Sequence, residues 1–176
     1  AGIGAVVLPS LFEEQLIAQN NQLEMIMAQS EANNPEAQSY FPDMGDTGPY
    51  GINPNQYLDL IRDAKNALSV PVIASLNGCT PSGWIDYAQQ MAKAGADALE
   101  LNIYYVPVDI TVSGAEIEQR YLNVLKQVRA AVQIPVSVKM PPYFSAIGHM
   151  AKQLEQHGAN GLVVFNRYLQ PDIDLL

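Results

Sequence analysis

The sequence lacks several features that would place it in a familiar class of protein. Among its 176 residues there is one cysteine, Cys79, so no internal disulfide can form and a reducing, cytoplasmic setting is expected. No apolar run approaches the roughly 18 residues that a membrane-spanning helix needs. Lys and Arg number 9 against 18 Asp and Glu, and the net charge of −9 argues against nucleic acid or an anionic membrane surface as a partner.

Targeting and metal-binding motifs are also missing. The opening residues AGIGAVVL contain neither an initiator Met nor the basic stretch of a signal peptide, so we expect the chain to be part of a longer protein. The two histidines do not have the spacing of metal ligands, and no metal site is expected. The whole chain is 48% hydrophobic and 15% charged, which predicts a globular domain with a sizeable core.

An internal repeat is the main architectural signal. Val70-Pro71-Val72 recurs 64 residues later as Ile134-Pro135-Val136. Ala94-Gly95-Ala96-Asp97 recurs 63 residues later as His157-Gly158-Ala159-Asn160. Each copy holds strand, helix, strand and helix, and this alternation predicts parallel strands joined by helical crossovers.

Hydrophobic patterning predicts the individual elements. Apolar runs indicate strands at 5–8, 71–76, 98–103, 135–140 and 161–166. Amphipathic segments indicate helices over about 11–30, from Pro54, after Thr80-Pro81, from Ser113 and over about 145–156. Ser10 with Glu13, and Ser113 with Glu116, have the spacing of capping boxes. The segment 33–53 is rich in Pro, Gly and Asp and predicts a long loop.

The predicted fold class is α/β, as a partial (β/α)₈ TIM barrel. The regular repeat and the absence of a G-x-G-x-x-G turn favour a barrel over a doubly wound sheet. A full barrel takes about 250 residues, so the chain has room for about five or six βα units. We expect residues 1–176 to form a single domain that lacks the first and last βα units of the barrel. Because such a fragment exposes sheet edges, a homodimer or a partner subunit is expected.

Four of the apolar runs end on a polar side chain, namely Asn77, Asn102, Lys139 and Asn166. In α/β folds, ligands bind at the carboxyl ends of the strands. Lys139 could stabilise negative charge on a bound cofactor or enolate, and the amides suit a planar ring that carries both C=O and N–H groups. The alternatives are a lysine that reaches solvent, amides that cap loop backbone, and Asn77 as a turn residue. Glu100 lies inside an apolar strand and needs a partner, either a lysine inside the barrel or a ligand.

Three stretches together resemble the dihydroorotate dehydrogenase family, whose members are FMN-dependent (β/α)₈ barrels. They are ALELN at 98–102, VKMPPYF at 138–144 and VFN at 164–166. LNIYY and FNRYLQPDID make the chain most similar to the bacterial dihydroorotate dehydrogenase-like branch. The resemblance implies a cytoplasmic flavoprotein of pyrimidine metabolism that uses FMN to act on a CH–CH bond of a small dihydropyrimidine-like substrate. It also implies that the domain is a fragment of an FMN-type barrel.

The resemblance implies roles for individual residues. Asn102 matches an asparagine that contacts flavin and substrate, and Asn166 matches one that binds the pyrimidine. Lys139 matches the lysine beside the flavin N1–O2 edge, where an ammonium stabilises the anionic reduced flavin. In the loop after the third strand the family reads Asn-x-Ser-Cys-Pro-Asn, with Cys or Ser as the catalytic base. Here Tyr105 occupies the position of that base and Pro107 replaces the following Asn.

These departures change the expected chemistry. The phenol of a tyrosine has a reference pKa near 10 and is a poor base at neutral pH. A related ene reduction, with Tyr105 or Tyr104 as proton donor, is therefore one hypothesis. A second is a redox-inactive barrel homologue that binds a ligand or a partner subunit. A third is a lyase or aldolase in which Lys139 forms a Schiff base.

Overall fold

A computed structural model describes residues 2–18, 54–105 and 108–166. The helical residues 13–18 follow the first strand, whereas the rest of the predicted helix over 11–30 and the predicted loop over 33–53 lie outside the described residues, as does Pro107. The other elements, in chain order, are β1 (Val6–Phe12), α1 (Pro54–Ala67), β2 (Val72–Asn77), α2 (Pro81–Lys93), β3 (Ala98–Asn102), α3 (Gly114–Ala131), β4 (Val136–Met140), α4 (Ile147–Gln156) and β5 (Gly161–Val164).

The five strands form one parallel sheet in the order β1-β2-β3-β4-β5. A helix connects each successive pair from β2 to β5, as the alternation of patterns predicted. The strand order follows the chain without reversal, whereas a doubly wound sheet needs a reversal. The predicted α/β class with a parallel sheet is therefore confirmed.

The two copies of the repeat have matching backbone geometry. Gly95 and Gly158 both follow a helix and have positive φ angles of 105° and 100°, which favours glycine at both positions. Two residues later, the side chains of Asp97 and Asn160 accept hydrogen bonds from the first backbone N–H of β2 and of β4, at 2.7 Å and 2.9 Å respectively. The repeated tetrapeptides thus make the same helix-to-strand connection twice.

The core lies where the helices cover the sheet. Alternate residues of the three central strands are fully buried, including Ala74, Leu76, Leu99, Leu101, Val136 and Val138. They form one cluster with helix residues that include Ile61, Met91, Leu125 and Leu154. Each fully buried aliphatic side chain of this kind contributes about 1.5–3 kcal/mol relative to an exposed one. The described helices are too short or too polar to cross a bilayer.

Three predicted helix starts are confirmed, since α1 begins at Pro54 as expected, and one is wrong. Thr80 caps α2, and Ser113 forms the predicted capping box with Glu116 at the start of α3. Ser10, however, lies in β1, which continues to Phe12 after an irregularity in pairing between Val7 and Ser10. The carboxylate of Glu13 binds residues 79 and 80 instead of Ser10. Pairing with β2 therefore outweighs the local capping pattern.

Candidate functional site

A row of polar side chains crosses the sheet in register. Ser10 pairs with Ser75, Ser75 pairs with Glu100, and Glu100 pairs with Ser137. Side chains two residues apart on a strand point to the same face. Asn102 and Lys139, which are also in register with each other, therefore lie on this face, closer to the carboxyl ends of the strands.

A chain of four hydrogen bonds links the predicted asparagines to this row. The amide Nδ2 of Asn166 donates to Oδ1 of Asn102 at 2.5 Å, and Nδ2 of Asn102 donates to Oγ of Ser10 at 2.9 Å. The hydroxyls of Ser10 and Ser75 are 2.7 Å apart, and Ser75 donates to Oε1 of Glu100 at 2.9 Å. The two asparagines, 64 residues apart in the sequence, are thus in direct contact.

Lys139 and Glu100 form an ion pair at the end of this chain. Nζ of Lys139 lies 3.6 Å from Oε1 of Glu100, and the side chain of Glu100 is 5% exposed while that of Lys139 is 27% exposed. Of the partners considered for Glu100 from the sequence, the structure supplies the lysine. The side chain of Lys139 is partly open to solvent and is in register with Asn102 on the neighbouring strand, so it can also face a ligand at the carboxyl edge of the sheet.

Tyr57 supports the row from α1. Its hydroxyl donates to the carbonyl of Ser75 at 3.1 Å and accepts from the N–H of Ser75 at 2.9 Å. Burial raises the pKa of Tyr57 to about 12, the hydrogen bond with Ser75 opposes the increase, and the negative charge of Glu100 adds to it. The phenol is therefore protonated at neutral pH and can serve as a fixed donor to β2.

Tyr105 is placed in different surroundings. The guanidinium carbon of Arg120 lies 4.8 Å from the centre of the Tyr105 ring, a cation–π contact. The ring lines a cavity of about 630 Å³, to which Asn77 and Trp84 also contribute. Asn102, Lys139 and Asn166 do not line this cavity. Of the four residues to which the resemblance assigns roles, the structure thus places Asn102, Lys139 and Asn166 at one edge of the sheet and Tyr105 in a separate cavity. The catalytic role of Tyr105 stays a prediction.

Ser10 and Ser75 belong to the site although the sequence did not single them out for it, whereas Glu100 was expected to need a partner. The sequence does carry a signal for Ser75, because a hydroxyl stands in the middle of the apolar run VIASLN. Nothing local shows that Ser75 meets both Ser10 and Glu100, since strand register sets these contacts. Among the described residues no group of three or more His, Cys, Asp or Glu side chains could hold a metal ion.

The fold and the site define a parallel α/β protein whose polar groups gather at the carboxyl ends of neighbouring strands. In sequence, the chain is similar to dihydroorotate dehydrogenases, which confirms the predicted resemblance. It is 34% identical over 114 residues to dihydroorotate dehydrogenase A (fumarate) of Limosilactobacillus reuteri, covering 63% of this chain and 37% of that protein. It is 33% identical over 108 residues to the catalytic subunit of dihydroorotate dehydrogenase B (NAD(+)) of a Geobacillus species, covering 60% and 34%.

The chain spans a little over a third of the length of these curated relatives. No family model matches it. Among solved structures, dihydrodipicolinate synthase from Agrobacterium tumefaciens has a TM-score of 0.51 at 16% identity, covering 63% of this chain and 37% of that one. Phosphonopyruvate hydrolase has a TM-score of 0.51 at 17% identity, covering 74% and 48%. At these identities the likenesses concern the fold alone, a parallel α/β fold whose neighbours are TIM-barrel-like.

Proposed function

We propose that the chain is part of an FMN-dependent oxidoreductase that acts on the CH–CH bond of a dihydropyrimidine-like substrate. Residues 1–176 would then form one domain, a partial (β/α)₈ barrel without its first and last βα units. The observation that carries the proposal is the Asn102–Asn166 amide pair beside the Lys139–Glu100 ion pair at one edge of the sheet. Sequence similarity to dihydroorotate dehydrogenases supports it.

The donors at this edge fit the polar rim of a flavin. The ammonium of Lys139 and the amide of Asn102 are in register on adjacent strands, and the rim of the isoalloxazine ring presents carbonyl oxygens and a ring nitrogen as acceptors. Lys139 would hold the N1–O2 edge and supply positive charge there. FMN, when bound, would supply the hydride acceptor for oxidising or reducing the substrate.

The remaining residues would bind and orient the substrate. Asn166 and Asn102 offer amide groups that pair with C=O and N–H groups of a pyrimidine-like ring. Tyr105 stands at the loop position of the family's base, and we assign the proton transfer to its phenol. Lys139 also gives a protein of net charge −9 a local positive group for an anionic ligand.

The test is flavin binding and flavin reduction by the full-length protein. FMN titrated against the purified apoprotein should bind with quenching of flavin fluorescence. The Lys139→Ala variant should bind FMN at least about tenfold more weakly, a loss of about 1.4 kcal/mol of binding free energy. Lys152→Ala is the matched control, because Lys152 is an exposed lysine of α4. Anaerobic dihydroorotate or another dihydropyrimidine should bleach the bound flavin. Failure of the wild-type protein to bind FMN would refute the proposal.

One observation favours a second candidate, a redox-inactive homologue that binds a ligand or a partner subunit. The ring of Tyr105 packs under Arg120 and lines a cavity whose lining does not include Asn102 or Asn166. If that arrangement persists when ligand binds, the binding groups remain but the proton-transfer group is absent from their site. This candidate predicts FMN or pyrimidine binding without bleaching by any dihydropyrimidine.

A further inference from the structure

We propose that Glu100 is a positioning residue, which fixes the orientation of the amides of Asn102 and Asn166 through the hydroxyls of Ser75 and Ser10. Its relevance to ligand binding rests on the function proposed above. The carboxylate does not touch either asparagine. It acts through the chain of hydrogen bonds, because that chain can run in only one direction when it ends on a carboxylate.

The direction follows from counting protons. An ionised carboxylate only accepts, so the single hydroxyl proton of Ser75 must point to Glu100. Ser75 then has no proton left for Ser10, and the contact of 2.7 Å between their oxygens requires Ser10 to donate. Ser10 has in turn used its own proton, so it must accept from Asn102.

The same constraint passes from Ser10 to the amide pair. Asn102 has to turn its NH₂ group toward Ser10, at 2.9 Å, which leaves its carbonyl facing Asn166. Asn166 must then present NH₂ to that carbonyl, and the two atoms are 2.5 Å apart. With the opposite amide orientation, Asn102 would present an acceptor to Ser10, whose only proton is already committed to Ser75.

Burial makes this constraint strict. Ser75 is 1% exposed, Glu100 is 4% exposed, and Asn102 and Asn166 are each 7% exposed. A buried polar group that loses its partner costs about 1–3 kcal/mol. Reversing either buried link, from Ser75 to Glu100 or from Asn166 to Asn102, would therefore leave an unfavourable contact that water cannot readily relieve. The two links at Ser10 are partly buried. Lys139 supplies the counter-charge for Glu100 at 3.6 Å. The positive charge of Lys139 is thereby linked, through Glu100, to the donor and acceptor pattern of the two amides.

Side-chain amide NMR can test this directly, without FMN. The protein is labelled with [¹⁵N]asparagine, and the NH₂ signals are assigned by their loss in Asn102→Asp and Asn166→Asp. In Glu100→Gln the new side chain can donate as well as accept, so the chain of hydrogen bonds can run in either direction. We expect the NH₂ signals of both asparagines to shift or double. Glu155→Gln is the control, because it removes the same charge from an exposed site on α4 and should leave both signals in place.

Ser75→Ala provides a second route if Glu100→Gln fails to fold. It removes the link between Glu100 and Ser10 while keeping the ion pair with Lys139, and it shortens a small side chain without adding bulk. Altered NH₂ signals of Asn102 and Asn166 in this variant support the proposal. Unchanged signals for both asparagines in a folded Glu100→Gln or Ser75→Ala protein overturn it.

Ligand binding separates this inference from the proposed function. If the function is right, orotate should bind at least about tenfold more weakly to Ser75→Ala than to the wild type, although Ser75 has no part in the amide pair itself. If the wild type binds neither FMN nor orotate, the proposed function fails. The NMR result then decides the role of Glu100 on its own.

Discussion

The side chain of Glu13, just after β1, contacts the start of α2, which is distant from it in sequence. Its carboxylate accepts from the N–H of Cys79 at 2.6 Å, from the N–H of Thr80 at 3.0 Å and from the Thr80 hydroxyl at 2.5 Å. Thr80 is itself the N-cap of α2. Unpaired backbone N–H groups and the helix dipole favour an anion at a helix start. Here a buried side chain of the protein, 6% exposed, occupies that position.

Gly83, in the first turn of α2, allows this contact. A Cβ built on Gly83 would overlap the carboxylate of Glu13. Replacing glycine by alanine inside a helix normally stabilises by about 1 kcal/mol, but at Gly83 we expect destabilisation of about 1–3 kcal/mol from overpacking. Urea unfolding of Gly83→Ala measures this change.

The double variant identifies the cause. In Glu13→Ala protein the carboxylate is gone, so adding Gly83→Ala should be neutral or stabilising there. If Gly83→Ala costs the same free energy of unfolding in both backgrounds, the overlap with Glu13 is not its cause. This pairwise comparison is informative because the two residues are in contact.

At the scale of elements, local patterns predicted most of the fold. The capping box at Ser113 succeeded because Ser113 and Glu116 lie at the start of one helix and bind each other. The same pattern at Ser10 and Glu13 failed because both side chains find partners on β2 or on the loop after it. A sequence motif reports what its residues can do locally, and pairing between strands decides whether they do it.

The candidate site divides in the same way. Asn102, Lys139 and Asn166 were predicted because each follows an apolar run, and parallel strands end at a common edge. The link through Ser10 and Ser75 could not be predicted, because it depends on which residue of β1 lies beside which residue of β2. The irregular pairing between Val7 and Ser10 sets that register, and the sequence alone gives no position for it.

The repeated connections make a prediction at Gly95 and Gly158. Both have positive φ, and a Cβ at either would meet only ordinary contacts, at 3.8 Å from Lys65 and at 3.5 Å or more from Arg129. The cost of alanine there is thus conformational, and we expect each single variant to lose about 1 kcal/mol of unfolding free energy. Chemical denaturation of the two variants provides the measurement.

Gly148 is the control, since it lies within α4 and a Cβ there meets nothing within 4 Å. Gly148→Ala should stabilise by about 0.5–1 kcal/mol. The same sign at all three glycines would contradict a conformational cost specific to the repeated connection. Unequal effects at Gly95 and Gly158 would show that the two copies, despite matching backbone angles, differ in how far the chain can relax.

At the scale of the whole molecule, the site depends on the entire sheet. The hydrogen-bonded chain takes Ser10 from β1, Ser75 from β2, Glu100 and Asn102 from β3, and it ends at Asn166 just after β5. β4 contributes Lys139 through the ion pair. Strand pairing and site geometry are therefore coupled, and a shift of one strand by one residue would move its polar groups to the opposite face.

Two carboxylates connect separate parts of this fold and share the same dependence on pH. Burial alone would raise the pKa of Glu13, but its hydrogen bonds from Thr80 and Cys79 outweigh burial and lower it below the ordinary value of 4.5. The hydrogen bond from Lys65, helped by the N–H of Val72, lowers the pKa of Asp97 below its ordinary value of 3.8. Asp97 is more than a third exposed, so solvent screens its contribution.

Because the folded state favours the ionised form of both groups, their stabilisation is complete above their ordinary pKa values and is lost as the pH falls through the lowered folded values. We expect the urea midpoint of the wild type to fall as the pH is lowered from about 5 to about 3.

Glu13→Gln should be less stable at neutral pH by about 1.5–3 kcal/mol, the size of a charge-assisted hydrogen bond, and should lose less unfolding free energy on acidification. Glu155→Gln, at an exposed site, should keep the full acid dependence. An equal acid loss in Glu13→Gln would show that protonation of Glu13 does not limit acid stability.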